Sequence, residues 1–172
     1  RDEEEYKYFA EEDKAFFRHW LDWTDENREY LLNTRFIIGQ PAIGRVDGTS
    51  ALVGDEGYIF LFNPNGRQLD AEFSLDATIG LTNGQNFLLK EIYPQEQYLG
   101  QQENGIWSFG EQVSIPMDGA SSRVLMLIPV DQGPENAKLL NLPGSANLKW
   151  GTLVLDELSV EVGSEVEAMV LI

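Results

Sequence analysis

The chain has 172 residues, with 42% hydrophobic and 11% aromatic side chains, values that belong to a globular domain with a packed core. Its 29 Asp and Glu outweigh 12 Lys and Arg for a formal charge of −17. Such a surface repels phosphate backbones and anionic lipid, whose capture depends on clustered Lys and Arg, so neither nucleic acid nor membrane is an expected partner. Cys is absent, which removes disulfides, thiolate nucleophiles and zinc–thiolate centres together. The longest apolar run, Val124 to Val130, contains Pro129 and falls far short of the about 20 residues that span a bilayer. Without a signal peptide or an initiator Met, the sequence reads as a mature, tag-cleaved or excised chain.

Residues 1–34 hold neither Gly nor Pro. Phe9, Phe16, Trp20, Trp23, Asn27, Tyr30 and Leu31 recur by sevens, fours and threes, a spacing that stacks them on one stripe of a helix. The acidic start, Asp2 to Glu5, suits the positive end of a helix dipole. Asp25, within Trp23-Thr24-Asp25-Glu26, is a candidate cap for a second helical piece. The segment is therefore one long helix or two short ones. Phe16, Trp20, Trp23 and Tyr30 form its expected packing interface. Trp20, Trp23 and Tyr30 should be mostly buried, within the chain or against another subunit, because an exposed stripe of that size would be an interaction surface.

From Arg35 onward the period is two. Leu69, Ala71, Phe73 and Leu75 alternate with Gln68, Asp70, Glu72 and Ser74, as one-sided strands do. Val113, Ile115 and Met117 repeat the pattern, and so do Leu158, Val160 and Val162. Tyr58–Phe62 and Val124–Ile128 are continuous apolar runs, expected as strands buried on both faces. Asn63-Pro64-Asn65-Gly66, Asn83-Gly84 and Asn104-Gly105 are turn sequences expected at hairpin tips. Beyond Pro129, Lys149–Leu155, Leu158–Val162 and Val166–Ile172 read as three further strands. The predicted fold is mainly β: an N-terminal helical segment over 1–34, an antiparallel Greek-key-like β-sandwich over 35–130, and a linker with three strands over 131–172 that close the sandwich or begin a second β unit.

Sites for chemistry are sparse. His19 is the only histidine; a Ser-His-Asp arrangement or a His-based metal site lacks its partners, and the residue reads as structural or solvent-exposed. Asp55/Glu56 and Asp70/Glu72 are acid pairs of the type a glycosidase needs, but they sit where solvated surface is expected. Asp47-Gly48-Thr49-Ser50 is oxygen-rich, yet it lacks the alternating acids of an EF-hand loop and reads as a turn before a hairpin. No metal and no cofactor is expected. Carbohydrate is the one small-molecule class with a signal. Tyr93, Tyr98 and Trp107 lie among Gln95, Gln97, Gln101, Gln102 and Asn104, and sugar rings stack on aromatic faces while amides bond their hydroxyls. Tyr98 and Trp107 are the candidate carbohydrate-binding residues, against the plainer reading of Trp107 as core.

Phe16-Phe17-Arg18-His19-Trp20-Leu21-Asp22-Trp23 leads to Asn27 and Tyr30-Leu31-Leu32, then to Pro41, Gly44 and Val46-Asp47-Gly48, and next to Phe60-Leu61-Phe62-Asn63-Pro64. This order resembles the last barrel helix and following β domain of α-galactosidase-like (melibiase-type) glycoside hydrolases, over roughly residues 6–130. There a Trp-rich helix precedes a Pro..Gly..Asp-Gly segment and a strand ending in Asn-Pro. The resemblance implies a non-catalytic C-terminal β-sandwich module, because the catalytic Asp pair of that family lies upstream on barrel strands and no residue here matches either motif. It implies as partner a catalytic barrel of a parent chain, or a second copy of this chain, through the aromatic helix. It implies an extracytoplasmic location as well. A stand-alone carbohydrate-binding module is the alternative.

Overall fold

The computed structural model describes residues 6–39, 42–101, 103–130, 136–160, 163 and 168–172. Helix α1 spans Glu11–Glu26 and a single-turn α2 spans Arg28–Leu31. The acids in the first turn of α1 are Glu11, Glu12 and Asp13, favourably placed at the positive end of its dipole. Asp2 to Glu5 lie outside the described residues. Asp25 falls inside α1 and caps nothing. The break comes at Asn27, whose Nδ2 donates to the Trp23 carbonyl at 2.8 Å while its Oδ1 accepts from the Tyr58 hydroxyl at 2.6 Å. A side chain that returns to its own helix backbone competes with continuation of the helix.

The strands are β1 (Thr34–Ile38), β2 (Asp47–Val53), β3 (Glu56–Asn63), β4 (Leu69–Ser74), β5 (Asn86–Tyr93), β6 (Gln97–Leu99), β7 (Trp107–Ser108), β8 (Gln112–Met117), β9 (Ser121–Val130), β10 (Lys138–Leu140), β11 (Ser145–Lys149), β12 (Thr152–Asp156) and β13 (Met169–Leu171). The large sheet runs β1-β2-β3-β9-β5-β6-β10-β13, with β7 also on β5. Its pairings are antiparallel except β6–β10. β4 and β8 form a second sheet of two strands. The chain leaves the large sheet after β3 to make β4, returns for β5 to β7, leaves again for β8 and re-enters to insert β9 between β3 and β5. This is the antiparallel β-sandwich with crossed connections that the sequence predicts.

The core lies between the sheets. Ala71, Phe73, Val113, Ile115 and Met117 from the small sheet meet Ile59, Leu61, Phe87, Leu89, Leu125 and Leu127 from the large one. The alternation in β4 and β8 thus points its apolar side inward. Asn63, 1% exposed at the end of β3, pins the crossover. Its Nδ2 lies 2.8, 3.0 and 2.8 Å from the carbonyls of Arg67, Met117 and Asp118, and its Oδ1 accepts from the backbone N–H of Asn65 at 3.1 Å.

The outer face of β3 and β5 carries Tyr58, Phe60 and Tyr93, and α1 lies on it. Trp23 meets Tyr58 at 4.7 Å between ring centroids, Tyr30 meets Tyr58 at 5.4 Å, Trp20 meets Tyr93 at 5.6 Å and Phe16 meets Tyr93 at 6.2 Å. Trp20, Trp23 and Tyr30 have the larger part of their surface covered, as expected, whereas Phe16 is 48% exposed. The helix rests on one layer only, so each ring keeps a second side free. β5 carries a bulge: Glu91 pairs with Leu125, but Tyr93 pairs with Val124. The extra residue reverses the side-chain phase. Glu91 stays on the inner face with Phe87 and Leu89, whereas Tyr93 emerges under the helix.

Several expectations about turns and late strands are corrected. Lys149–Leu155 is not one strand but a hairpin folded at Trp150-Gly151, both with positive φ; two apolar arms with a tight turn mimic a single run. Leu158 and Val160 are 48% and 49% exposed and lie outside any strand, while Val162 and Val166 fall outside the described residues. Asp47–Ser50 is the start of β2, not a turn. Asn83-Gly84 lies in the β4–β5 connection, and Asn63-Pro64-Asn65-Gly66 crosses between sheets. Asn104-Gly105 is no hairpin tip either. β6 and β7 run in the same direction along β5, so Gly100–Gln101 and Glu103–Ile106 loop out of an interrupted strand. The loop returns at Gly105 (φ 76°), where a Cβ would overlap the Leu140 side chain.

Asn63→Ala is expected to cost about 2 kcal/mol in urea unfolding, since buried carbonyls lose their donor. Asn63→Asp should cost about 3 kcal/mol or more, because it aims a charged acceptor at those carbonyls. Equal stability of both variants and the parent would show that Asn63 does not hold the crossover.

Candidate functional site

The looped-out segment forms one lip of a cleft of about 560 Å³ at the mouth of the sandwich. Gln97, Leu99, Gln101, Trp107 and Arg123 face the β8 strand across it, with Asn141 at one end. Asn141 builds the lip. Its Oδ1 accepts from the Gly100 N–H at 2.7 Å, its Nδ2 donates to the Gly100 carbonyl at 3.2 Å, and its own N–H donates to the Tyr98 carbonyl at 2.7 Å. Its φ of 61° is a conformation that Asn tolerates better than most residues. Trp107 is half-buried against the core, with Nε1 donating to the Leu99 carbonyl at 2.8 Å.

Behind this wall sits Glu91, 1% exposed. Gln97 Nε2 donates to its Oε2 at 2.5 Å and Arg123 Nη1 to its Oε1 at 3.1 Å. Burial pushes the Glu91 carboxyl above its ordinary pKa, and the bonds from Gln97 and Arg123 offset only part of that. Sequence reading missed this cluster. The signal was available: in Phe87-Leu88-Leu89-Lys90-Glu91, alternation puts a carboxylate on the same side as Phe87 and Leu89.

A second buried acid lies at the β2–β3 hairpin. Asp55 is 7% exposed, which corrects its reading as solvated surface. Its Oδ1 accepts from the Thr82 N–H at 2.6 Å and Oγ1 at 3.1 Å, and its Oδ2 accepts from Asn83 Nδ2 at 2.7 Å and Gln85 Nε2 at 3.3 Å. Burial pushes this carboxyl up, but the bonds from Thr82 and Asn83 outweigh it and the net direction is below the ordinary value. Asp55 is therefore committed to holding the 81–85 loop. Asp70 and Glu72 lie on the exposed side of β4.

The candidate sugar-binding pair is split between faces. Tyr98 pairs with Lys90 and Trp107 pairs with Phe87; Lys90 and Phe87 are three apart on β5 and point to opposite sides. Tyr98 lines a separate outer hollow of about 440 Å³, with Lys90 and Lys138 nitrogens 5.8 and 5.2 Å from its ring centre. One sugar ring cannot stack on both aromatics. Phe16, Trp20 and Trp23 line an apolar groove of about 410 Å³ with Phe60 and Tyr93, and beside it Tyr30 meets Tyr58 edge to face. His19 is exposed and rests edge-on against Trp20 at 5.4 Å. Among the described residues no three His, Asp or Glu come together as a metal-ligand set, and no helix is long and apolar enough to cross a membrane.

No protein-family model matches this chain, and no curated protein matches it. Among solved structures, a putative α-N-acetylgalactosaminidase from Bacillus halodurans C-125 is weakly similar, at 21% identity and a TM-score of 0.42. The likeness covers 56% of this chain and 20% of that one, so the chain spans about a fifth of that protein's length.

The two buried acids predict different acid responses. A Glu whose folded pKa is raised subtracts stability as pH climbs from its unfolded value, about 4.3, through the folded one. Removing its cation enlarges that loss, so Arg123→Met should destabilise by about 3 kcal/mol at pH 7, with relief already under way above about pH 4.3. Asp55, with a lowered pKa, adds stability that is present above about pH 3.9 and fades in stronger acid. The cost of Asp55→Asn should therefore persist to lower pH. Unfolding curves across pH 3 to 7, roughly the span of both groups, would refute the assignment if the order of relief were reversed.

Proposed function

We propose that this chain is a non-catalytic β-sandwich module of a glycoside-hydrolase-like protein, seated against the flank of a catalytic barrel. The observation that carries the reading is the surplus of apolar surface on α1. After its inward rings are placed on Tyr58, Phe60 and Tyr93, Phe16 and Phe17 remain 48% exposed along the groove beside Trp20, and Leu21 on the same helix is 66% exposed. A contiguous apolar flank of that kind is what a second packed surface covers. The order of residues from Phe16 to Pro64 supports the same partner through the melibiase-type resemblance. The buried acids support a non-catalytic role, since Asp55 clamps a loop and Glu91 is engaged by Gln97 and Arg123. Glycoside hydrolysis instead needs two carboxyl groups facing one cleft. An extracytoplasmic location belongs to the same proposal. The second reading, a carbohydrate-binding module, draws on the amide-rich cleft and is independent of the helix.

The test joins the genomic reading frame upstream of Arg1 to a binding measurement. That frame should encode a repeated βα pattern. The barrel expressed from it should bind this chain, and Phe17→Asp or Leu21→Asp should weaken binding at least about tenfold while each changes stability by no more than about 1 kcal/mol. An upstream frame without a barrel, or a dimer of this chain that the same variants dissociate, would replace the barrel by another partner. The isolated chain should not turn over aryl α- or β-glycosides. Turnover that disappears in a folded Glu91→Gln variant would make it an enzyme.

A further inference from the structure

We propose that the cleft between β8 and the Gly100–Gln101 lip binds an uncharged saccharide, whether or not the chain accompanies a barrel. One wall is the open edge of β8. The Leu75 N–H donates to the Glu111 carbonyl at 2.9 Å, and Phe73 pairs with Val113, so the odd-numbered residues of β8 bond to β4. In an antiparallel ladder the even-numbered residues then turn their backbone groups the other way. Gln112 and Ser114 offer both N–H and C=O along that edge, and Pro116 offers only C=O.

The facing wall presents side chains held at one end and open at the other. Gln97 spends Nε2 on Glu91, which leaves Oε1 to accept. Arg123 spends one Nη1 hydrogen on the same carboxylate and keeps further guanidinium donors. Gln101 Oε1 accepts from the N–H groups of Glu103 at 2.7 Å and Asn104 at 3.2 Å, so its Nε2 remains as a donor. Leu99 and Trp107 supply an apolar surface between them, and the bond from Trp107 Nε1 fixes the ring. A buried carboxylate at Glu91 is expensive, and an apolar residue of similar volume would serve the core as well or better. What Glu91 adds is rigidity in two cleft-lining side chains, and rigid polar groups lower the entropy cost of binding.

The charge of the walls narrows the ligand class. Among the described residues Arg123 is the one charged side chain lining the cleft, and Glu91 already neutralises it. An anionic ligand would meet the field of a chain with net charge −17, and a cationic one would find no lining acid among the described residues. Saccharide hydroxyls both donate and accept, which suits the mixture of carbonyls, amide nitrogens and guanidinium donors. An extended peptide is the poorer fit, because Pro116 interrupts the edge ladder and leaves only Gln112 and Ser114 with donors.

The experiment is ligand-observed NMR and calorimetry on the whole chain. The probes are cello-, xylo-, manno- and galacto-oligosaccharides, with polygalacturonate as the anionic probe and a Val/Thr-rich peptide as the strand probe. At least one neutral oligosaccharide should saturate with a Kd in the millimolar range or tighter. Trp107 packs on the core, so replacing it risks unfolding; Gln101→Ala, which removes the Nε2 donor, and Gln112→Pro, which removes the edge N–H at the first position of β8 where Pro is tolerated, carry the test instead, and each should weaken binding about five- to tenfold. Tyr98→Ala, on the other face of the sheet, should leave it unchanged. The proposal is overturned if no neutral probe binds at about 10 mM, if polygalacturonate or the peptide binds in their place, or if Tyr98→Ala abolishes binding while the Gln variants do not.

Discussion

Strands β3, β5 and β9 carry apolar side chains on both faces, and a sheet of that kind must be covered twice. The small β4–β8 sheet covers the inner face with Phe73, Ile115 and Met117 against Ile59, Leu89 and Leu127. The outer face is covered by a single amphipathic helix whose aromatics meet Tyr58, Phe60 and Tyr93. Two strands shield one side and sixteen residues of helix shield the other. Neither cover is wide enough for a sheet of nine strands. The inner shortfall opens the polar cleft beside β8, and the outer shortfall leaves the apolar groove beside Trp20. Both candidate surfaces are consequences of the same mismatch between a broad sheet and narrow covers.

Much of this was legible in local patterns, because a one-sided strand announces its buried side. Leu69, Ala71, Phe73 and Leu75 alternate without interruption, and the small sheet follows. The helix was legible for the same reason at a different period. The exposure of Phe16 on the same stripe was not. Whether Trp20 lies between two layers or on one depends on what passes above it, and no local pattern encodes that. Turn chemistry misled where Asn and Gly serve other ends: Asn83 donates to a buried Asp55, and Asn63 receives and donates across a crossover. The hairpin at Trp150-Gly151 was hidden because Leu148 and Leu153, which pair across it, read along the chain as a single apolar strand.

The site was less legible than the fold. Tyr98 and Trp107 sit nine positions apart in sequence, and their relative facing depends on how the segment between β6 and β7 leaves and rejoins the edge of β5. Loop length does not set that phase. Glu91, by contrast, was passed over although alternation with Phe87 and Leu89 alone places it inward. Asp55 and Glu91 show why burial by itself does not define a carboxylate: neutral donors from one loop stabilise the charge on the first, while the second remains strained by desolvation despite a guanidinium 3.1 Å away.

The bulge at Ile92 ties the two surfaces together by one residue of contour. Glu91 and Tyr93 have the same parity, and without the irregularity both would face the small sheet. The extra residue sends Tyr93 out to Phe16 and Trp20 and keeps Glu91 behind the cleft. In an ideal ladder a strand has a single phase along its length, and neighbouring positions cannot be tuned for different sides without moving everything beyond them. Here β5 has two phases. Phe87, Leu89 and Glu91 before Ile92 answer to the sandwich interior and Tyr93 after it to the helix. Length changes in the β5–β6 turn are thereby free of the core, whereas a register that absorbed Ile92 into the ladder would pair Tyr93 with Arg123, turn its ring toward the small sheet and leave Phe16 and Trp20 without their partner.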